Sequence, residues 1–121
     1  MEFEEEFKGV SSRILRRAFF SAMRDGIRVL WPIFSGLLIF IAGLGVLIGR
    51  LEGWSILDSL YFAFVTGLTI GYGDFSPHFA STRLLAVLIG LLGVLLTGLV
   101  AALGVSSLNF VRDSLASRAK R

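Results

Sequence analysis

The residues with the most pointed chemistry in this 121-residue chain are Thr69-Ile70-Gly71-Tyr72-Gly73-Asp74. They contain no nucleophile with a base beside it, so what they offer is main-chain oxygen. An extended strand that alternates in handedness aims successive carbonyls the same way. Gly71 and Gly73 take the positive φ values of such a path at little cost. The product is a ladder of carbonyl dipoles, with the Thr69 hydroxyl as its innermost rung. A bare monovalent cation can exchange its hydration water for such oxygens.

The rest of the chain narrows the chemistry by what it lacks. There is no cysteine, so disulfides and thiolate-held metals are excluded. A single histidine, His78, rules out a histidine metal cage within one chain. It lies in a polar stretch beside Pro77 and reads as an exposed residue. No acid–base or nucleophile constellation suggests an enzyme. Gly43 to Gly49, GLGVLIG, has the wrong spacing for a dinucleotide fingerprint and follows no strand. No feature points to a nucleic-acid partner.

The elements that must position the ladder are apolar. The chain is 55% hydrophobic with a mean hydropathy of +0.78, beyond an ordinary soluble domain. Leu30–Ile48 and Leu84–Val105 carry no charge. Each reaches the ~20 residues that a helix needs to cross ~30 Å of hydrocarbon. Lys8, Arg13, Arg16, Arg17, Arg24 and Arg28 precede the first stretch. Arg112, Arg118, Lys120 and Arg121 follow the second. Between them stand only Arg50 and Arg83, beside Glu52, Asp58 and Asp74. Basic residues stay on the cytoplasmic side, so both termini are expected inside and the central segment outside. Trp31 and Trp54 then fall near opposite water–lipid boundaries.

Between the spans, Ser55-Ile56-Leu57-Asp58 has the form of a capping box before the apolar run LYFAFV. A helix over about 56–66 is predicted, with Ser55 as N-cap. At ~1.5 Å per residue it reaches only about halfway across a bilayer. Residues 69–74 must then return to the surface as irregular backbone. Such backbone survives at membrane depth only inside protein or against a watery cavity. Two spans cannot enclose it, so several copies around a rotation axis are expected. The inward C-terminal end of the short helix would favour a cation there.

Thr69-Ile70-Gly71-Tyr72-Gly73-Asp74 in this setting resembles the filter signature of tetrameric potassium channels, T-V-G-Y-G-D. The order of span, short helix, filter and span, over about Trp31 to Leu108, is similar to the two-span pore of small prokaryotic members. Carbonyl rings are the established filter device of that family. The resemblance implies an all-α membrane protein: two transmembrane helices, a re-entrant pore helix and a selectivity-filter loop, assembled as a fourfold homotetramer. It implies K⁺ held at Thr69, Ile70, Gly71 and Tyr72, with Gly73 allowing the last turn and Asp74 at the outer mouth. Tyr72 favours K⁺ over Na⁺, since non-selective relatives lose it. The implied function is passive, potassium-selective conduction across the plasma (inner) membrane. A poorly selective cation channel of the same fold and a non-conducting assembly protein are the alternatives.

The chain also departs from the family pattern. Val65 stands where some members carry a glutamate that pairs with the outer aspartate. Phe62 lacks the donor of a pore-helix tryptophan, and Thr66 is expected to reach the Tyr72 hydroxyl instead. Leu68 replaces a common threonine. Val65 and Thr66, with Asp74, are thus the expected filter supports.

The domain plan assigns 1–29 to a cytoplasmic segment and 30–108 to the pore. Within the pore it places an outer helix over 30–48, a pore helix over 56–66, the filter at 69–73 and an inner helix over 82–108. It assigns 109–121 to a basic cytoplasmic tail. In the first segment Glu2, Glu4, Glu5 and Glu6 form an acidic cap. Leu15, Phe19, Met23, Ile27 and Leu30 recur at helical spacing, with Arg13, Arg17, Arg24 and Arg28 on other faces. This reads as an amphipathic helix on the inner leaflet, meeting anionic lipids, or as an extension of the first span. On the inner helix Gly93 lies where the family places its gating glycine, with Gly98 as rival; close packing explains either equally. Val94, Thr97, Ala101 and Val105 share one face, expected to line the cavity. The Thr97 hydroxyl either faces that cavity or bonds back to its own helix. Val105, Leu108 or Asn109 is expected to narrow the inner mouth. The chain is either a pore without a ligand-binding domain or a pore cut from a longer protein.

Overall fold

The computed structural model describes residues 11–120, so the acidic cap of the expected N-terminal segment lies outside the described residues. Three helices follow one another: α1 (Ser12–Glu52), α2 (Ile56–Gly67) and α3 (Ala80–Ala119). No strand occurs among the described residues. The chain divides into two compact units. One is Pro32–Leu99; the other joins the segment ending at Trp31 to the segment beginning at Val100. The family-type order of long helix, short helix, irregular segment and long helix is thus present.

The helix ends follow local chemistry. Gly53 takes φ +78 and the Trp54 amide bonds the Gly49 carbonyl at 2.8 Å, a glycine-ended cap that stops α1. Ser55 then caps α2, its hydroxyl accepting from the Asp58 amide at 3.1 Å. Such a cap contributes about 1 kcal/mol. The Ser59 hydroxyl donates to the Ser55 carbonyl at 2.6 Å, tying the same turn.

In the Pro32–Leu99 unit a small core holds α1, α2 and α3 together. It comprises Ile41, Ile48, Phe62, Ala63 and Ile89, with Leu44, Leu85, Leu92 and Leu96 packed around it. Small residues let the backbones approach. A Cβ on Gly45 would strike Ala63 and come 2.9 Å from the Ser59 carbonyl; one on Gly49 would strike Ser59. Only 11% of the most apolar window of α3 is buried, against a mean hydropathy of 2.7. A soluble core helix would be covered, so this surface belongs to lipid or to other copies.

Of the two readings of residues 12–29, the structure has the extension of the first span and not a separate interfacial helix: they run without interruption into the span. No turn intervenes, and Pro32 removes only the one bond its amide would have made to the Arg28 carbonyl. The inner helix does not stop near 108 but continues to Ala119. The reason lies in the second unit. Ala18, Ala22 and Gly26 of α1 share hollows with Leu103, Ser107, Phe110 and Val111 of α3. Leu103, Ser107 and Val111 are buried, four residues apart, so the period of a buried helix face continues past residue 108. The partner of this apolar face is protein, not the leaflet.

Candidate functional site

The irregular segment after α2 alternates in handedness. Thr69, Gly71 and Gly73 have φ of 61, 59 and 79; the intervening Ile70 and Tyr72 are not positive. A left-handed φ at every second residue turns successive peptide planes so that their oxygens share one side. Positive φ suits the two glycines and costs Thr69 about 1–2 kcal/mol. That position had no glycine to announce it.

The amides explain what holds Thr69 there. The Thr69 amide donates to the Thr66 carbonyl at 3.0 Å. Those of Ile70 and Gly71 both donate to the Val65 carbonyl, at 2.9 and 3.2 Å. With N–H groups tied back to the end of α2, the opposing carbonyls are left to face away from it. Val65 therefore holds the irregular segment through its main-chain carbonyl, whereas the sequence draws attention to its side chain. No contact joins Thr66 to the Tyr72 hydroxyl among the hydrogen bonds of the described residues. The whole segment, Leu68 to Asp74, is exposed in the single chain.

Side chains hold the outer leg. The Tyr61 hydroxyl is a hydrogen-bond partner of the Asp74 carboxylate. Its ring stands edge-on to Phe75 at 6.0 Å. Trp54 meets Phe62 at 5.1 Å and Phe75 at 5.2 Å, also edge-on. Such pairs contribute beyond their buried area. Trp54 thus ties the residues that follow the irregular segment to α2.

Beyond it, one carboxylate gathers the outer ends of α1 and α3. Glu52, past the uncharged run that ends at Ile48, has a side chain only 2% exposed. Its Oε1 accepts from the His78 amide at 2.8 Å, the Phe79 amide at 3.2 Å and the Thr82 hydroxyl. Its Oε2 lies 3.0 Å from His78 Nδ1, which must carry the proton, since a carboxylate only accepts. Burial pushes the Glu52 pKa up, but these hydrogen bonds from Thr82, His78 and Phe79 outweigh it and hold it at about 2, against an ordinary 4.5. The charge sits at the N-terminus of α3, where the helix dipole favours it. Arg83 adds a bond to the Pro77 carbonyl at 3.1 Å. In the sequence His78 reads as simply exposed and Glu52 as one more outer charge. The ring is exposed, yet its Nδ1 and amide are engaged. A lone acid just past a span, before a glycine cap, was the available signal.

The inner-helix candidates fall into different surroundings. A Cβ on Gly93 would run into the Gly67 carbonyl, so this glycine is a contact between α3 and the end of α2. A Cβ added to Gly98 would have nothing within 4 Å. α3 continues through both. The Thr97 hydroxyl bonds back to the Gly93 carbonyl at 2.9 Å. Of the expected cavity and inner-mouth residues, Val94, Thr97, Ala101, Val105 and Leu108 are all exposed, as an unpartnered face would be.

A family model described as ion channel matches residues 29–109. Potassium channel subfamily K member 17 of Homo sapiens is 46% identical over 41 residues, 34% of this chain and 12% of that protein. TWiK family of potassium channels protein 7 of Caenorhabditis elegans is 36% identical over 61 residues, 50% of this chain and 11% of that protein. Two-pore potassium channel 3 of Arabidopsis thaliana is 41% identical over 51 residues, 38% of this chain and 12% of that protein. The chain thus spans only about an eighth of the length of these relatives. No solved structure matches it. Because the match takes in the uncharged runs of both long helices and the irregular segment between them, the chain belongs to this ion channel family, as a two-span member.

Proposed function

We propose that the chain is the subunit of a potassium-selective channel, four copies meeting around an axis in the plasma (inner) membrane, with both termini cytoplasmic. Thr69, Ile70, Gly71 and Tyr72 supply the carbonyls that replace the water of K⁺, and Thr69 adds its hydroxyl. The observation that carries this reading is the alternating φ of Thr69, Gly71 and Gly73, together with the Ile70 and Gly71 amides tied back to Val65. That combination frees a row of oxygens on the side away from α2. The segment's exposure in one chain supports the need for copies, since uncovered irregular backbone is costly at membrane depth. The relatives named as potassium channels support K⁺ as the ion.

On this reading Val94, Thr97 and Ala101 line the cavity below the filter, and Val105 and Leu108 narrow its inner end, where apolar side chains gate by dewetting. Gly98 is the freer of the two candidate hinges, because Gly93 is engaged by Gly67. The decisive measurement is ion flux through purified protein in liposomes. Barium-sensitive ⁸⁶Rb⁺ uptake that far exceeds ²²Na⁺ uptake is expected, from a particle of tetramer mass. Sodium passing as readily would make it a poorly selective channel, and no flux from a tetramer would make it an assembly protein. Tyr72→Asp is expected to erase the preference for K⁺.

A further inference from the structure

We propose that the Arg112 side chains of four copies form a ring of guanidinium groups at the inner mouth, and that the ring slows cations entering from the cytoplasmic side. The effect on current rests on the channel reading; the meeting of copies at Arg112 is measured without it. The tail of α3 has three faces. Leu103, Ser107 and Val111 are buried in the seam with α1. Asn109, Asp113 and Ser117 form an exposed polar face, suited to water. Ala101, Val105, Leu108 and Ala119 form the third, exposed but apolar, and Arg112 is its one charge. At 3.6 residues per turn these five positions lie within about 60° of one another, and the seam is centred about 130° away. α3 is unbroken to Ala119, so the register that carries Val105 and Leu108 carries Arg112 as well.

An apolar face this open needs a partner: Val105 is 59% and Leu108 48% exposed. α1 does not supply it, because α1 lies along the seam. Acyl chains do not supply it either, since Leu108, Arg112 and Ala119 stand past the uncharged run that ends at Val105. A second copy of α3 carries the same face. Closure around an axis then brings four Arg112 together, one turn or about 6 Å past Leu108. Their charge is not cancelled locally. Asp113 Oδ1 stands 3.9 Å from Arg112 Nε, with the side chains 76% and 49% exposed, a weak pair in water. Asp113 is the only acid among residues 100–120, and it lies on the polar face. Helices ~8–10 Å apart put the four charges within about 8 Å of the axis. At 0.1 M salt, with a screening length of ~10 Å, their summed repulsion lowers the cation concentration there about fivefold; at 1 M, with ~3 Å, it almost vanishes. Rings of acid serve cation pores, so a basic ring here is a brake. Entry limits outward current under a strong driving force, so that direction bears the larger effect.

The ring is tested by crosslinking. The chain has no cysteine, so Arg112→Cys and Ser117→Cys each carry a single thiol. In the purified full chain a short bismaleimide should join Arg112→Cys copies in pairs, read on a denaturing gel, and leave Ser117→Cys, on the polar face, unjoined. Unjoined Arg112→Cys, or equal joining of both variants, overturns the ring whatever the currents show. The brake is read as unitary current in planar bilayers with symmetric 0.1 M or 1 M KCl, roughly the two screening regimes above. At the lower salt Arg112→Gln should raise outward current about fivefold and inward current much less. At the higher salt it should match wild type in both directions. Arg112→Lys, which keeps the charge, should match wild type throughout. Outward current unchanged by Arg112→Gln at the lower salt, or a rise that persists undiminished at the higher, overturns the brake. So does Arg112→Lys behaving like Arg112→Gln, which would make side-chain shape the cause. Absence of wild-type current at both salts removes the channel reading and the brake with it, while the crosslinks still decide the ring.

Discussion

The two halves of the irregular connection between α2 and α3 are held in different ways. The inner half, Thr69 to Gly71, is held by main chain: three amides bound to two carbonyls of the helix just before it. The outer half is held by side chains from far along the chain. Glu52 reaches His78, Phe79 and Thr82 across 26 to 30 residues, and Trp54 and Tyr61 brace Phe75. A main-chain tie tolerates any side chain that accepts the required φ. A side-chain tie fails when one atom is removed. The inner half should therefore respond to changes in backbone freedom, and the outer half to changes in chemistry.

The largest effect is expected from Gly71→Ala. A Cβ at φ +59 adds about 1–2 kcal/mol of strain in each copy, with no neighbour to blame, since nothing lies within 4 Å. Loss of K⁺ flux with retained assembly would show that handedness, not packing, is what the position requires. Next comes Gly93→Ala, which drives a methyl into the Gly67 carbonyl and should cost about 1–3 kcal/mol in thermal unfolding. Gly98→Ala, in open space, should be neutral or mildly stabilising. Equal behaviour of the two would remove the distinction between contact and hinge.

Glu52→Ala should lower the unfolding midpoint and destabilise the outer leg, leaving the His78 and Phe79 amides without their acceptor and the buried Thr82 hydroxyl with the Phe79 carbonyl alone. Acid should imitate it. The folded pKa of Glu52 is depressed, so its contribution is complete above about 4.5 and is lost as pH falls toward about 2. Thermal midpoints should decline over that window, and the decline should be reduced in Glu52→Gln. The smallest effect is expected from Val65→Ala: the carbonyl that accepts from Ile70 and Gly71 remains, so K⁺ preference should be unchanged. A collapse of selectivity there would show that the inner half depends on its side chains after all.

Much of the architecture was legible because bilayer thickness imposes a length and a composition. Leu30–Ile48 and Leu84–Val105 announce themselves by lacking charge. Ser55 with Asp58 and Gly53 mark the ends of helices through local hydrogen bonds. Gly71 and Gly73 are visible because only glycine takes positive φ without penalty. Each of these signals rests on interactions within a few residues, so it can be read along the chain.

What only the tertiary structure decided lies between residues distant in sequence, or in a turn that no residue type announces. A left-handed Thr69 follows from amides captured by α2, and no local preference encodes it. Gly93 looks like any inner-helix glycine until the Gly67 carbonyl is found against it. The role of Glu52 depends on α3 beginning where its carboxylate ends. The continuous first helix, and the tail of α3 that packs along it, share one cause: an apolar period names a buried face, but not the surface that buries it.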